Sequence, residues 1–211
     1  SMHGAARTPP RLPVYDTRGF SMTRMITSKR ETAANGRVAE VWTLPTDEAF
    51  LHTLLQDIFQ NHWRSIVFGP IIEGGAFEFR CPNAPTSITV FDGYLTVHFG
   101  GTHFHLCIGE NKGSPNNPTP EALKHHRRTS RAEMFRNFDK AGCALSWGLR
   151  LFNGHDEQLI TLFFPTPFLT DSDGLADTPD WSRLDTWQVI GRTYLGRELD
   201  DADITGTGFR G

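Results

Sequence analysis

The 211-residue sequence has few cysteines, no strong excess of either charge and no long apolar run, and each shortage excludes a class of protein. Its three cysteines are odd in number and form no Cys-x-x-Cys pair, so a disulfide framework is not expected and the cytoplasm is the expected compartment. The net charge of -3 favours neither a nucleic-acid partner nor an anionic membrane surface. No apolar run approaches the roughly 18 residues of a membrane span, and the N-terminus lacks the apolar segment of a secretory signal.

Composition divides the chain into an N-terminal arm and one domain. Residues 1–36 are rich in Arg, Pro, Thr and Gly and show no period, which predicts an extended arm. Residues 37–211 hold the periodic segments and are long enough for a single core. An ordered arm needs a surface to pack on, either its own domain or a second subunit, and on that ground we favour a homodimer.

The periodic segments occur in an order that predicts an α+β fold. Helical spacing of apolar residues occurs at about 47–63 and 181–195, and a further short helix is expected at 121–128. Strand patterns bounded by turn residues occur at 76–81, 86–91, 94–99, 102–109, 130–138, 144–152 and 158–164. Because the hairpin-linked strands leave no room for crossover helices, we expect an antiparallel sheet with the N-terminal-half helix and the C-terminal helix packed on it.

Two tight turns set the register of the strands at 86–109. Asp92-Gly93 and Gly100-Gly101 are two-residue hairpin loops, which puts His98 opposite His103. Directly opposed residues share a face of the sheet. One face is then apolar, and we expect the helix at 47–63 to cover it. The other face carries Ser87, Thr89, Phe91, Tyr94, Thr96, His98, His103, His105 and Cys107.

The second face collects imidazoles and has no Lys, Arg, Asp or Glu, which indicates a half-enclosed pocket with a metal site. Strand geometry puts His103 and His105 about 6.6 Å apart, and His98 about 5 Å from His103. His98, His103 and His105 are therefore the predicted ligands of one transition metal ion, which is zinc, iron or copper. Cys107 lies roughly 13 Å from His103, so it is either an alternative ligand beside His105 or a separate reactive group.

Three protein ligands leave a metal ion with an open position, which predicts an enzyme that acts on a small molecule. Tyr94, Cys107 and Glu133 are the predicted catalytic groups, and Glu78 and Arg80 are similar candidates. Whether the reaction is that of an oxidoreductase, a lyase or a hydrolase stays open at this point.

A basic segment follows the loop after these strands. Arg127, Arg128 and Arg131 are suited to binding a carboxylate or a phosphate, so the substrate is expected to be anionic if these arginines contact it. The alternative is a basic surface exposed to solvent.

Two other functions fit the same residues. The first is a non-enzymatic protein that binds a metal, haem or another small ligand against Phe91, Tyr94 and the histidines. The second comes from a resemblance: His103-Phe104-His105-Leu106-Cys107-Ile108 resembles the strand of the histidine-triad nucleotide-binding proteins, although Cys107 stands where that family has its third histidine. The resemblance covers about seven residues. It implies a metal-free nucleotidyl transferase or hydrolase with His105 as nucleophile and the basic segment binding phosphate.

Overall fold

The structure is a computed structural model and describes residues 26–209. It has the α+β fold that the sequence predicts. The helices are α1 (Glu48–Asn61), α2 (Glu121–Arg127), a 3-10 helix (Trp181–Leu184), α3 (Asp185–Leu195) and α4 (Asp201–Ile204). The first strands are β1 (Ser28–Thr32), β2 (Val38–Leu44), β3 (Val67–Gly69), β4 (Ile71–Ile72), β5 (Gly75–Ala76), β6 (Phe79–Arg80) and β7 (Ser87–Phe91). The others are β8 (Tyr94–His98), β9 (His103–Cys107), β10 (Gly113–Ser114), β11 (Asn117–Pro118), β12 (Arg131–Phe138), β13 (Ala144–Phe152) and β14 (Gln158–Phe163).

The strands form one large antiparallel sheet and one smaller one. The large sheet has seven strands in the order β1-β2-β12-β13-β14-β3-β6, and the smaller sheet is β7-β8-β9. Two-residue strands form the additional pairs β4–β5 and β10–β11. Among residues 26–209, no helix combines the length and the apolar character needed to cross a bilayer.

Two features of the large sheet differ from expectation. β1 and β2 have no counterpart among the predicted strands, and β1 falls inside the predicted arm, whose residues 1–25 lie outside the described residues. The single strand predicted at 76–81 is wrong, because β5 and β6 belong to different pairs. Between β5 and β6 the N–H of Phe77 donates to the carbonyl of Pro70. The Phe77 backbone also lies so close to Gly69 that a Cβ on residue 69 would be 1.8 Å from the Phe77 oxygen.

Helix α1 lies in the core between the two sheets. Asp47 caps it by accepting the N–H of Phe50 at 2.9 Å. Its apolar stripe is fully buried, and the Phe59 ring lies 5.3 Å from Phe68 of β3 and 5.3 Å from Phe104 of β9. The helix therefore covers the apolar face of the smaller sheet, as expected, and packs on the large sheet as well.

The register of β7, β8 and β9 is the one predicted from the two turns. His98 pairs with His103, Thr96 with His105 and Tyr94 with Cys107. The apolar face of this sheet contributes to the buried core, and the imidazoles lie on the opposite face.

A buried ion network joins the C-terminal segment to the large sheet. Arg136 of β12, 3% exposed, donates to Glu40 of β2 and to Asp200 and Asp203 around α4. Asp203 is fully buried and also accepts from the indole of Trp147. These carboxylates raise the pKa of Arg136 despite its burial, so the guanidinium stays charged.

Replacing Arg136 with Ala is expected to destabilise the protein by about 3 kcal/mol or more, because it leaves buried carboxylate charge with too few partners. Urea denaturation followed by tryptophan fluorescence measures the change. The control is Arg192→Ala, which removes an exposed pair with Glu198 and should leave the midpoint unchanged. Equal midpoints for the two variants would contradict a stabilising role for the buried network.

Candidate functional site

The polar face of the smaller sheet is open at one end and covered at the other. His103 and His105 are exposed, whereas Thr96 is 9% exposed and Cys107 only 2%. The N–H of Thr129, just after α2, donates to the Cys107 carbonyl at 2.9 Å, so the segment that follows α2 packs against the end of β9 that carries Cys107. The half-enclosed pocket expected from the sequence is therefore confined to the end of β9.

The structure brings the three predicted metal ligands together as ring neighbours. The His98 and His103 ring centroids lie 5.2 Å apart, and those of His103 and His105 lie 5.0 Å apart. The Nδ1 atom of His105 lies 2.6 Å from the Thr96 hydroxyl, which leaves Nε2 for a ligand. Within residues 26–209, however, only one group of three metal-ligating side chains has all its ligand atoms within 4.8 Å of one another. That group does not include His98, His103 or His105. Metal binding by this trio stays a prediction.

Two adjoining cavities lie along the polar face, and we call them together the groove. Both are lined by Tyr94 and His105, which places these side chains at their junction. The first cavity measures about 350 Å³ and is also lined by Leu106, Cys107, Leu123, His126, Arg127, Asn153 and Leu159. The second measures about 370 Å³ and is completed by Phe91, Asp92 and Thr96.

Two of the predicted catalytic groups, Tyr94 and Cys107, line the groove in their protonated forms. Burial raises the pKa of the Cys107 thiol, although Arg127 and Arg128 lie near enough to oppose the shift. The thiol donates to the carbonyl of Gly109 at 3.4 Å. Burial, together with Cys107, also raises the pKa of the Tyr94 phenol. Near neutral pH both groups are therefore hydrogen-bond donors rather than bases, and the thiol is a weak metal ligand.

One arginine of the basic segment lines the groove without a carboxylate partner. Arg127 donates to the Oδ1 atom of Asn111 at 2.8 Å, and among the described residues it forms no ion pair. Asn111 is held in turn by Asp92, which accepts from the Asn111 amide at 2.9 Å and from the N–H groups of Lys112 and Gly113. The hydrogen-bonded chain from Asp92 to Arg127 fixes the guanidinium at the edge of the first cavity.

The other two predicted anion-binding arginines are placed differently. Arg128 lines a separate cavity beside Asp47 and Ser130. Arg131 forms ion pairs with Asp156 and Glu133, so its charge is already compensated. Of the three arginines, only Arg127 lines the groove.

Glu133 does not reach the groove, contrary to the sequence-based expectation. It lies on β12 of the large sheet, is 2% exposed and is paired with Arg131 and with Arg150 at 3.3 Å. A carboxylate held between two guanidinium groups serves packing and charge balance rather than proton transfer in the groove.

Glu78 and Arg80 line a different cavity of about 320 Å³ on the large sheet. Arg80 is paired there with Asp173 at 2.6 Å, and Arg183, which also lines this cavity, is paired with Asp171. These partners compensate the basic charges, and the cavity contains no histidine or cysteine. It is therefore the weaker candidate site.

The residues that sequence reasoning missed are His126, His155 and Glu157. They form the group whose ligand atoms lie within 4.8 Å of one another. His155 and Glu157 lie two positions apart just after the Asn153-Gly154 turn, and this spacing is the one local signal of a metal site. Nothing in the local pattern indicates that the end of α2 packs on this loop.

Comparisons with known proteins give a family and distant similarity to solved structures. A family model described as "Family of unknown function (DUF7676)" matches residues 28–196. A solved structure titled "Crystal structure of ChuX" aligns with 74% of this chain and 78% of its own, at 12% identity and a TM-score of 0.47. No curated protein matches the chain.

Replacing Thr96 with Val is expected to change the tautomer balance of His105, because it removes the hydroxyl that lies 2.6 Å from Nδ1. Long-range ¹H–¹⁵N NMR of the imidazoles measures the change. The matched control is Thr89→Val on the same face, which should leave the His105 nitrogen shifts in place. Identical His105 shifts in the wild type and Thr96→Val would show that the hydroxyl does not set the tautomer.

Proposed function

The chain belongs to the family of unknown function (DUF7676), and we propose from the residues of the groove that the protein binds a small anionic molecule. Membership of this family does not itself assign an activity. The observation that carries the proposal is the guanidinium of Arg127, which forms no ion pair within residues 26–209 and lines a cavity together with Tyr94 and His105. A guanidinium with unused donors binds carboxylates and phosphates through paired hydrogen bonds.

The neighbouring polar groups complement an anion. Tyr94, held protonated by its raised pKa, is a donor, and the imidazole of His105 offers a further donor or ligand atom. Asp92, the one carboxylate among the described residues that line the groove, accepts hydrogen bonds from two backbone N–H groups and an amide. Its charge is therefore largely compensated, which lowers the repulsion that an anion would meet.

The apolar groups favour a ligand with an organic body. Leu106, Leu123 and Leu159 line the first cavity, and Phe91 is 83% exposed beside the second. Small-molecule sites usually combine a few polar groups with apolar walls. We therefore propose a carboxylate or phosphate attached to an apolar or aromatic group.

A metal-dependent enzyme is the second candidate. The neighbouring rings of His98, His103 and His105 support it, since imidazoles suit zinc, iron or copper, including the iron of a haem. These three imidazoles would hold the ion, which would supply a Lewis acid for a substrate oxygen or a water molecule, and Tyr94 would donate a proton.

The anion proposal is tested with Arg127→Gln. Isothermal titration with benzoate, phenyl phosphate and inorganic phosphate should show affinity falling at least about tenfold in this variant, because a charge-assisted hydrogen-bonded pair is lost. The matched control is Arg128→Gln, which changes the adjacent residue and a different cavity. Equal affinities of the wild type and Arg127→Gln for every anion would reject the proposal.

The metal candidate is tested by metal content. Untagged protein from medium supplemented with zinc, iron and copper is analysed by inductively coupled plasma mass spectrometry, and haemin titration followed in the Soret region tests the haem version. We expect metal or haem binding that is lost in His103→Ala and His105→Ala and kept in Cys107→Ser. Protein that takes up neither metal nor haem would remove this candidate and leave the anion proposal standing.

A further inference from the structure

A second group of metal-ligating side chains lies outside the predicted trio. We propose that His126 at the end of α2, with His155 and Glu157 from the loop between β13 and β14, binds a transition metal ion. The ligand atoms of these three residues all lie within 4.8 Å of one another. Ligand atoms on one tetrahedral zinc ion lie roughly 3.3 Å apart, given zinc–nitrogen distances of about 2.0–2.1 Å. Side-chain rotations of modest size therefore bring the three atoms onto one ion.

The loop that carries two of the ligands is held by its own first residue. The side-chain oxygen of Asn153 accepts the N–H groups of both His155 and Glu157, each at 3.0 Å. This is a turn in which an Asn side chain takes the place of a backbone acceptor. The two ligand-bearing residues are thus held in a defined conformation before any ion binds.

The same loop is joined to the end of α2 through the backbone. The N–H of Gly154 donates to the carbonyl of His126 at 3.0 Å. A Cβ at Gly154 would lie 2.0 Å from the carbonyl oxygen of His125, so only glycine permits this approach. The close packing brings His126 to the ligands of the loop.

The side chains of the group already contact one another. The Nε2 atom of His126 lies 2.5 Å from a Glu157 oxygen, and the Asn153 amide donates to the same oxygen at 3.0 Å. The imidazoles of His126 and His155 are stacked, with centroids 3.6 Å apart, and they must splay to bind one ion. The exposure of His155 leaves room for this movement.

The ligand set selects the kind of ion. Two imidazoles and one carboxylate suit zinc or iron(II) and leave coordination positions open for water or a ligand. His126 also lines the groove, so the ion would lie at its edge. The assignment stands whether or not the groove binds an anion, because it depends on different side chains from Arg127.

The test is Co²⁺ and Zn²⁺ binding to the full, untagged chain after treatment with a chelator. Visible absorption reports Co²⁺ coordination, and mass spectrometry reports bound Zn²⁺ after buffer exchange. We expect His155→Ala and Glu157→Gln to remove one equivalent of metal or to weaken it by more than about 100-fold, since even outer-sphere partners change affinity by 10–100-fold. Circular dichroism spectra should remain those of the wild type, because both side chains are exposed.

Controls separate this site from its neighbours. His125→Ala removes an adjacent exposed histidine of α2 that is outside the group, and it should bind metal as the wild type does. His105→Ala tests the predicted trio, and loss of the metal in that variant alone would overturn the proposal. A wild type that binds no Co²⁺ or Zn²⁺, or a His155→Ala variant with unchanged stoichiometry and affinity, would overturn it as well.

Discussion

The register of β7, β8 and β9 is the constraint on which the candidate site depends. Asp92 and Gly93 both adopt positive φ, 46° and 82°, which is the backbone that a two-residue hairpin turn requires. With that turn in place, Leu95 and Leu106 are buried and the imidazoles lie outside. A shift of one residue would exchange the two faces, so the same register that buries the apolar side chains also exposes the histidines.

The same turn also helps to position a charged side chain of the groove. Asp92 orders the start of the following loop by accepting the N–H groups of Lys112 and Gly113, and it also accepts from Asn111. Asn111 then holds Arg127. One aspartate therefore shapes a hairpin and, through a neighbouring amide, positions the guanidinium that is available to a ligand.

Ion pairing separates arginines that look equivalent along the chain. Arg131 neutralises a buried glutamate, and Arg136 pairs with Glu40 of β2 and with Asp200 and Asp203 near the C-terminus. A buried charge needs a partner because leaving it unpaired costs several kcal/mol, on the order of 3–5. These arginines are engaged in ion pairs within the fold, whereas Arg127 forms none with the described residues 26–209. A basic segment in a sequence cannot show this division, since it depends on carboxylates such as Glu40, Asp156 and Asp203, which lie far from these arginines along the chain.

The sequence by itself determined the α+β class, the hairpin register and the neighbourhood of His98, His103 and His105, because alternation and turn dipeptides act within one short segment. It predicted neither the placement of Glu133 nor the pairing of β1 with β2. Only the tertiary structure brought His126 to Glu157, 31 positions further along the chain. That contact depends on how α2 packs on a loop between two strands of the large sheet. Such packing reflects the free energy of the whole core, which no local period encodes.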